Sequence, residues 1–180
     1  MKAVVCGSFA YDNVLSYEGV FSDYLIESEL SNINISFLCA NLRREYGGCA
    51  VNIIYNLASI GANALAIGTM GRDADPYLEW MKSNNINTNF IKIIKESYTA
   101  QAYITTDQKA NQITTFHPGA MQYSNLVNIP NDTSISLGLI SPDGREGMID
   151  HTKQLVEMKI PYIFDPGQGM PMFNKDELNF

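Results

Sequence analysis

The stretch from Gly47 to Gly68 constrains the fold of this chain more than any other. Two glycines open a run, Cys49 to Ile60, whose apolar residues recur at helical spacing; Gly61 follows, and Asn63 to Gly68 is then a short, nearly continuous apolar segment. The spacing predicts a helix that Gly61 ends in a left-handed conformation, leading into a buried strand. With the apolar run Ala3 to Gly7 as an earlier strand, this makes one β-helix-β passage.

The same alternation continues downstream. Pro76 to Asn84 reads as a helix with proline in its first turn, Ser136 to Ile140 as a strand, Gly147 to Met158 as a helix and Pro161 to Phe164 as a strand. Strands alternating with helices give an α/β fold, a doubly wound and mostly parallel sheet flanked by helices. Three segments do not fit that core. Asn32 to Ala40, Ala100 to Thr106 and Gln112 to His117 alternate polar and apolar residues, as half-exposed antiparallel strands do. The polar turn Asp107 to Asn111 is of hairpin length. These segments predict a small β-sheet lid over one end of the core.

The chain's 180 residues, 46% of them hydrophobic, are enough for one domain with a buried core. Twelve Lys and Arg against nineteen Asp and Glu, a net charge of −7, argue against nucleic acid as a partner. The apolar stretch at the start is too short for a signal core or a membrane span, so a cytoplasmic protein with no membrane partner is expected. Cys6, Cys39 and Cys49 form no CxxC pair and read as apolar fillers of a reducing compartment.

Ligands of α/β proteins gather in loops beyond the carboxyl ends of the strands. Three such places stand out. In Gly7-Ser-Phe-Ala-Tyr-Asp12-Asn13, Asp12 either caps a turn or accepts hydrogen bonds from a pair of adjacent hydroxyls. In Gly47-Gly48-Cys-Ala-Val-Asn52, the glycines form a tight turn or let a ligand approach the backbone, with Asn52 projecting from the first helical turn. In Phe164-Asp165-Pro-Gly-Gln168, the acid and amide make either an Asx turn or an exposed polar pair on a rigid loop. His117 and His151 stand far apart without metal-ligand spacing, and neither is assigned a catalytic role.

Taken together, Gly47, Gly48, Ala50, Asn52, Gly61 and Gly71 resemble the first signature of the ribokinase-like, or PfkB, carbohydrate kinases. Ile54 stands where that signature carries Ser, Thr or Ala, and is expected to crowd the helix. Gly7-Ser8 with Asp12, Phe116 to Met121 and Asp165 to Gly169 are similar to the corresponding strings of bacterial adenosine and nucleoside kinases. The resemblance implies that Asp12, Gly47, Gly48 and Asn52 hold a ribose, that Phe116 lies against a purine with Phe37 or Gln101 completing the pocket, and that Gln168 reads the base edge. It also implies ATP and Mg²⁺ as cofactors, and transfer of the γ-phosphoryl group to the 5′-hydroxyl of a nucleoside such as adenosine, in purine salvage.

The family's Gly-Ala/Cys-Gly-Asp motif does not occur in these 180 residues. The expectation is therefore a single incomplete ribokinase-like domain over 1–180, with lid strands within 9–45 and 98–120. It should bind substrate, lack the nucleotide-binding part and be inactive alone, with either a homodimer formed through the lid or a complementary C-terminal fragment as partner. A non-catalytic nucleoside-binding remnant and a PfkB kinase for another sugar are the alternatives.

Overall fold

The computed structural model describes residues 2–25 and 32–178. Its larger sheet has five strands in the order β5-β4-β1-β8-β9: β1 is Lys2–Cys6, β4 Asn63–Gly71, β5 Ile91–Ile94, β8 Ile135–Ile140 and β9 Tyr162–Phe164. Every pairing in it is parallel. Three helices cover it: α1 (Cys49–Ser59), α2 (Asp75–Ser83) and α3 (Arg145–Glu157).

Successive residues of a strand point to opposite faces, and here both faces are buried. Val4, Cys6, Leu65 and Ile67 pack on one side with Met148 and Leu155 of α3. Val5 and Ala66 pack on the other with Ala50, Val51 and Ile54 of α1 and Tyr77 and Met81 of α2. Ile54 is 2% exposed and fills that core while α1 continues through it to Ser59, so the expected crowding does not interrupt the helix. Gly61 has φ +77° just beyond α1, as the helix-stop reading requires.

The second sheet has four strands in the order β3-β2-β6-β7, where β2 is Ala10–Tyr17, β3 Cys39–Gly47, β6 Ala100–Thr106 and β7 Gln112–His117. It is mixed rather than antiparallel, because β2 and β6 run parallel while both outer pairs are antiparallel. Two sequence expectations need correction here. Asp12 stands on β2 and not on a loop, since the chain re-enters extended structure at Ala10. The lid strand expected over Asn32 to Ala40 begins instead at Cys39 and runs to Gly47; residues 33–38 form no regular structure, and residue 31 lies outside the described residues. Alternation failed as a guide because β3 is built largely of exposed polar residues, among them Asn41, Arg43, Arg44 and Glu45.

Candidate functional site

The strand register decides which lid residues share a face. Asp12 on β2 pairs with Glu45 on β3 and with Ala102 on β6, and Ala102 pairs in turn with Phe116 on β7. Directly paired residues project to the same side, so Asp12 and Phe116 share one face of the sheet. Tyr11, Asn13 and Gln101 belong to the opposite face.

Below the Asp12 face lies a cleft of about 680 Å³, bounded by the segments that follow β1, β8 and β9 and by the start of α1. Asp12, Gly48, Asn52, Phe116 and Gln168 all line it. Gly47 stands just behind: its carbonyl accepts a 2.5 Å hydrogen bond from the Tyr77 hydroxyl. Phe37 and Gln101 do not line the cleft. Phe37 packs into an aromatic cluster, with ring centroids 4.9 Å from both Tyr17 and Phe21. Gln101 is buried on the far face, where its side chain meets Asn13, Asp73 and Tyr103.

The start of α1 is shaped by Gly48, whose φ of +100° suits a residue without a Cβ. Ser8 closes over it: the Ser8 hydroxyl accepts the amide of Cys49 at 3.1 Å, and the Ser8 carbonyl accepts that of Ala50 at 3.1 Å. Two of the helix's unpaired amides are thereby satisfied. At Asp165, Oδ1 accepts the Gly167 amide at 2.9 Å, so this acid does form the Asx turn that was one of its two readings.

Neither the Asp12 carboxylate nor the Asn52 side-chain amide has a hydrogen-bond partner among the described residues, and both face the cleft. Burial, and then the neighbouring Glu45 charge, raise the Asp12 carboxyl above its ordinary range. Burial also pushes up the Cys49 thiol; Ser8 opposes the shift, and Asp165, Asp12 and Asp143 add to it. The cleft lining thus contains three aspartates and no Lys, Arg or His. Such a surface suits a neutral ligand rich in hydroxyl donors, while Phe116, Met121 and Met172 offer apolar area to a ring.

Sequence reasoning missed Asp143. It follows β8 in Ser-Pro-Asp-Gly, lines the cleft and is 4% exposed. Its Oδ1 accepts the Gly144 amide at 2.9 Å while Oδ2 has no hydrogen-bond partner. Burial pushes this carboxyl up to about 8; the Gly144 amide opposes the shift, as does the nearby Ser124 hydroxyl, although that hydroxyl lies outside hydrogen-bond geometry to Oδ2. Pro-Asp-Gly after a strand signals a turn, and nothing in that string announces burial.

The model of the pfkB family carbohydrate kinases matches residues 13–135. The chain is 43% identical to the Burkholderia thailandensis nucleoside kinase solved in complex with inosine, with a TM-score of 0.84, covering 98% of this chain and 56% of that one. It is 28% identical over 159 residues to a nucleoside kinase of Methanocaldococcus jannaschii, covering 87% of this chain and 52% of that protein. The solved structure of the M. jannaschii nucleoside kinase superposes with a TM-score of 0.84. The chain spans about half the length of the curated relatives it matches.

Proposed function

From the pfkB family of carbohydrate kinases, to which this chain belongs, we propose that the cleft binds a purine nucleoside such as adenosine and that the chain is the substrate-binding portion of a nucleoside kinase. One observation carries the reading: the Asp12 carboxylate, without a partner of its own, faces a cation-free cleft beside the unbonded amide of Asn52. A ribose presents two adjacent hydroxyls as donors, and a buried acceptor gains most from a ligand that satisfies it. Asp12, Gly48 and Asn52 take the sugar in this reading, Gly47 leaves room for Asp12, Phe116 covers the base and Gln168 meets its edge. The inosine complex of the Burkholderia kinase supports the ligand class.

The kinase reaction proposed for the whole protein uses ATP and Mg²⁺, and a Burkholderia nucleoside kinase structure with ADP-inosine supports the nucleotide. The residues present here do not fit that group. Among the described residues no set of three or more His, Cys, Asp or Glu could hold a metal ion, and the Gly-Ala/Cys-Gly-Asp motif is not in the sequence. No phosphoryl-transfer step is assigned to these side chains, and the 180 residues alone are proposed to bind without turnover. The proposed setting is purine salvage in the cytoplasm; no helix among the described residues is long and apolar enough to cross a membrane. A second copy on the outer lid face, where Leu42, Tyr103 and Ile113 are exposed, belongs to the same reading.

Titration calorimetry tests the reading. Adenosine should bind the parent chain, and Asp12→Ala should weaken it by about 1.5 to 3 kcal/mol, the usual loss for a charge-assisted hydrogen bond. Equal affinities in two folded samples would remove Asp12 from the site.

A further inference from the structure

On the side of the lid away from the cleft lies a second pocket of about 420 Å³, lined by Tyr11, Arg44, Tyr46, Arg72, Asp73, Asp75 and Pro76. The charge content of the two cavities differs: the cleft contains no cation, whereas this pocket contains two guanidinium groups. The sequence has four arginines. Arg43 pairs with Glu45, and Arg145 pairs with Glu146 and Glu177. Arg44 and Arg72 make no ion pair among the described residues, and both line this pocket.

Each of the two is held in place without being neutralised. The Arg44 guanidinium lies 5.0 Å from the Tyr11 ring centroid, and its Nε donates to Asn13 Oδ1 at 2.9 Å, leaving its terminal amino groups unengaged. The Arg72 guanidinium lies 4.0 Å from the Tyr98 ring centroid and has no hydrogen-bond acceptor among the described residues. Stacking fixes a guanidinium's plane without consuming its donors. The pocket's own carboxylates compete weakly. Asp73 is committed elsewhere, its Oδ1 taking the Thr99 amide at 2.7 Å and its Oδ2 meeting Gln101 Nε2 at 3.5 Å. Asp75 opens α2 and remains the one uncommitted acid.

Two preorganised guanidiniums that each keep donors free form the pattern that recognises tetrahedral oxyanions. Tyr46 supplies an adjoining aromatic wall, and Tyr11, 2% exposed, backs the Arg44 guanidinium. We propose that this pocket, formed by Arg44, Arg72, Tyr11 and Tyr46, binds the phosphate group of a small phosphate-bearing ligand, separately from the cleft. The guanidinium groups donate to the phosphate oxygens, and the Tyr46 wall meets whatever the phosphate carries. Tyr11 and Asp12 are neighbours on β2, so the strand that forms one wall of this pocket also carries Asp12 into the cleft.

The test is titration calorimetry on the whole 180-residue chain at low ionic strength, with inorganic phosphate, AMP and adenosine as probes. An Asp12→Ala background removes any contribution from AMP entering the cleft. Phosphate and AMP should both bind in that background and weaken as salt rises. The double variant Arg44→Gln/Arg72→Gln should lose about tenfold or more in affinity for both, with adenosine binding to the otherwise unaltered chain unchanged. Asp75→Asn, which removes the competing carboxylate, should tighten both. AMP binding tighter than phosphate would identify a phosphomonoester as the ligand, and equal affinity would identify the free ion. Absence of binding by either probe at low salt, or an unchanged affinity in a double variant shown folded by circular dichroism, would overturn the proposal.

Discussion

A Cβ placed on Gly47 would stand 2.1 Å from Oδ2 of Asp12 and 2.7 Å from its Cγ. The absence of a side chain at residue 47 is therefore what leaves room for the carboxylate at residue 12. The two lie on paired antiparallel strands, Gly47 opposite Ala10 and Asp12 opposite Glu45. The obstruction would be the end of a movable side chain and not backbone, so the fold can accommodate it by turning Asp12 aside.

Gly47→Ala should consequently leave thermal stability nearly unchanged while weakening nucleoside binding as much as Asp12→Ala does. Its neighbour should behave in the opposite way. A Cβ on Gly48 would meet the Ser8 carbonyl oxygen at 2.5 Å, the Ala10 nitrogen at 2.7 Å and the Phe9 Cα at 2.9 Å, in a residue already at φ +100°. Backbone cannot rotate away, and Gly48→Ala should cost about 2 kcal/mol or more in stability. Urea unfolding and calorimetry on the two variants separate the cases. A Gly47→Ala chain that binds adenosine normally would break the link to Asp12.

Discrimination at the sugar follows from the same acceptor. If Asp12 takes ribose hydroxyls, 2′-deoxyadenosine leaves part of its hydrogen bonding unmet inside the cleft and should bind less well than adenosine by about 1 to 3 kcal/mol. In Asp12→Ala the two nucleosides should become nearly equal. Equal affinities for the parent chain would favour a ligand held without its 2′-hydroxyl.

The hairpin tip has its own anchor. Asp107 is 5% exposed; its Oδ1 accepts the amides of Lys109 and Asn111, and its Oδ2 accepts the Phe21 amide and the Asn111 side-chain amide, all at 2.8 to 3.0 Å. Burial alone would raise this carboxyl, but the bonds from Asn111, Phe21 and Lys109 outweigh it and lower it to about 2. A depressed acid stabilises the fold above its ordinary pKa, and the stabilisation is lost as pH falls through the folded value. Asp107→Ala should accelerate amide exchange at Phe21, Lys109 and Asn111 while leaving β1 and β4 protected, because it releases the tie between the hairpin and the Gly19–Asp23 segment. Unchanged exchange at Phe21 would show that the aromatic packing of Tyr17, Phe21 and Phe37 holds this segment by itself.

Where local pattern and tertiary environment agree, the sequence was a sound guide. Helix α1 and strand β4 are bounded by glycines and carry apolar residues that meet the core, and β6 and β7 flank a turn rich in polar residues, so all four are legible within a few residues. Strand β2 was not, because one of its faces lines the cleft and the other packs around Tyr11 and Asn13, leaving no polar-apolar alternation to read. Gln101 illustrates a different limit. Whether it faces the cleft depends on the parity of its pairing with Tyr11 and not Asp12, and register is a property of the assembled sheet. For Asp143, no local cue distinguishes a surface turn from a buried one.

Two buried groups without a full set of partners should give the chain opposing pH dependences. Burial raises the Asp143 carboxyl from 3.8 to about 8, so in the folded state it keeps its proton across a range in which the unfolded chain has lost it. The folded state binds more protons there, and stability falls as pH rises from about 4 to about 8. His151 behaves inversely. It is fully buried, its Nε2 lies 2.8 Å from the Val127 carbonyl oxygen and its Nδ1 has no partner. Burial lowers its pKa below 6.5 despite the Val127 bond and the nearby Asp150 charge. The unfolded chain then binds the extra proton, and stability falls as pH drops below about 6.5. Asp143→Asn retains an oxygen for the Gly144 amide without an ionisable proton, so its urea midpoint relative to the parent's should rise steadily from about pH 5.5 to about pH 8.5 and exceed it near pH 8.5. His151→Gln retains a donor for Val127 and should lose the acid-side decline. Urea unfolding of the parent, each single variant and the double variant at about pH 5.5, 7 and 8.5 separates the two groups. An Asp143→Asn chain no more stable than the parent near pH 8.5 would mean that Asp143 is charged in the folded protein and has a partner for its second oxygen.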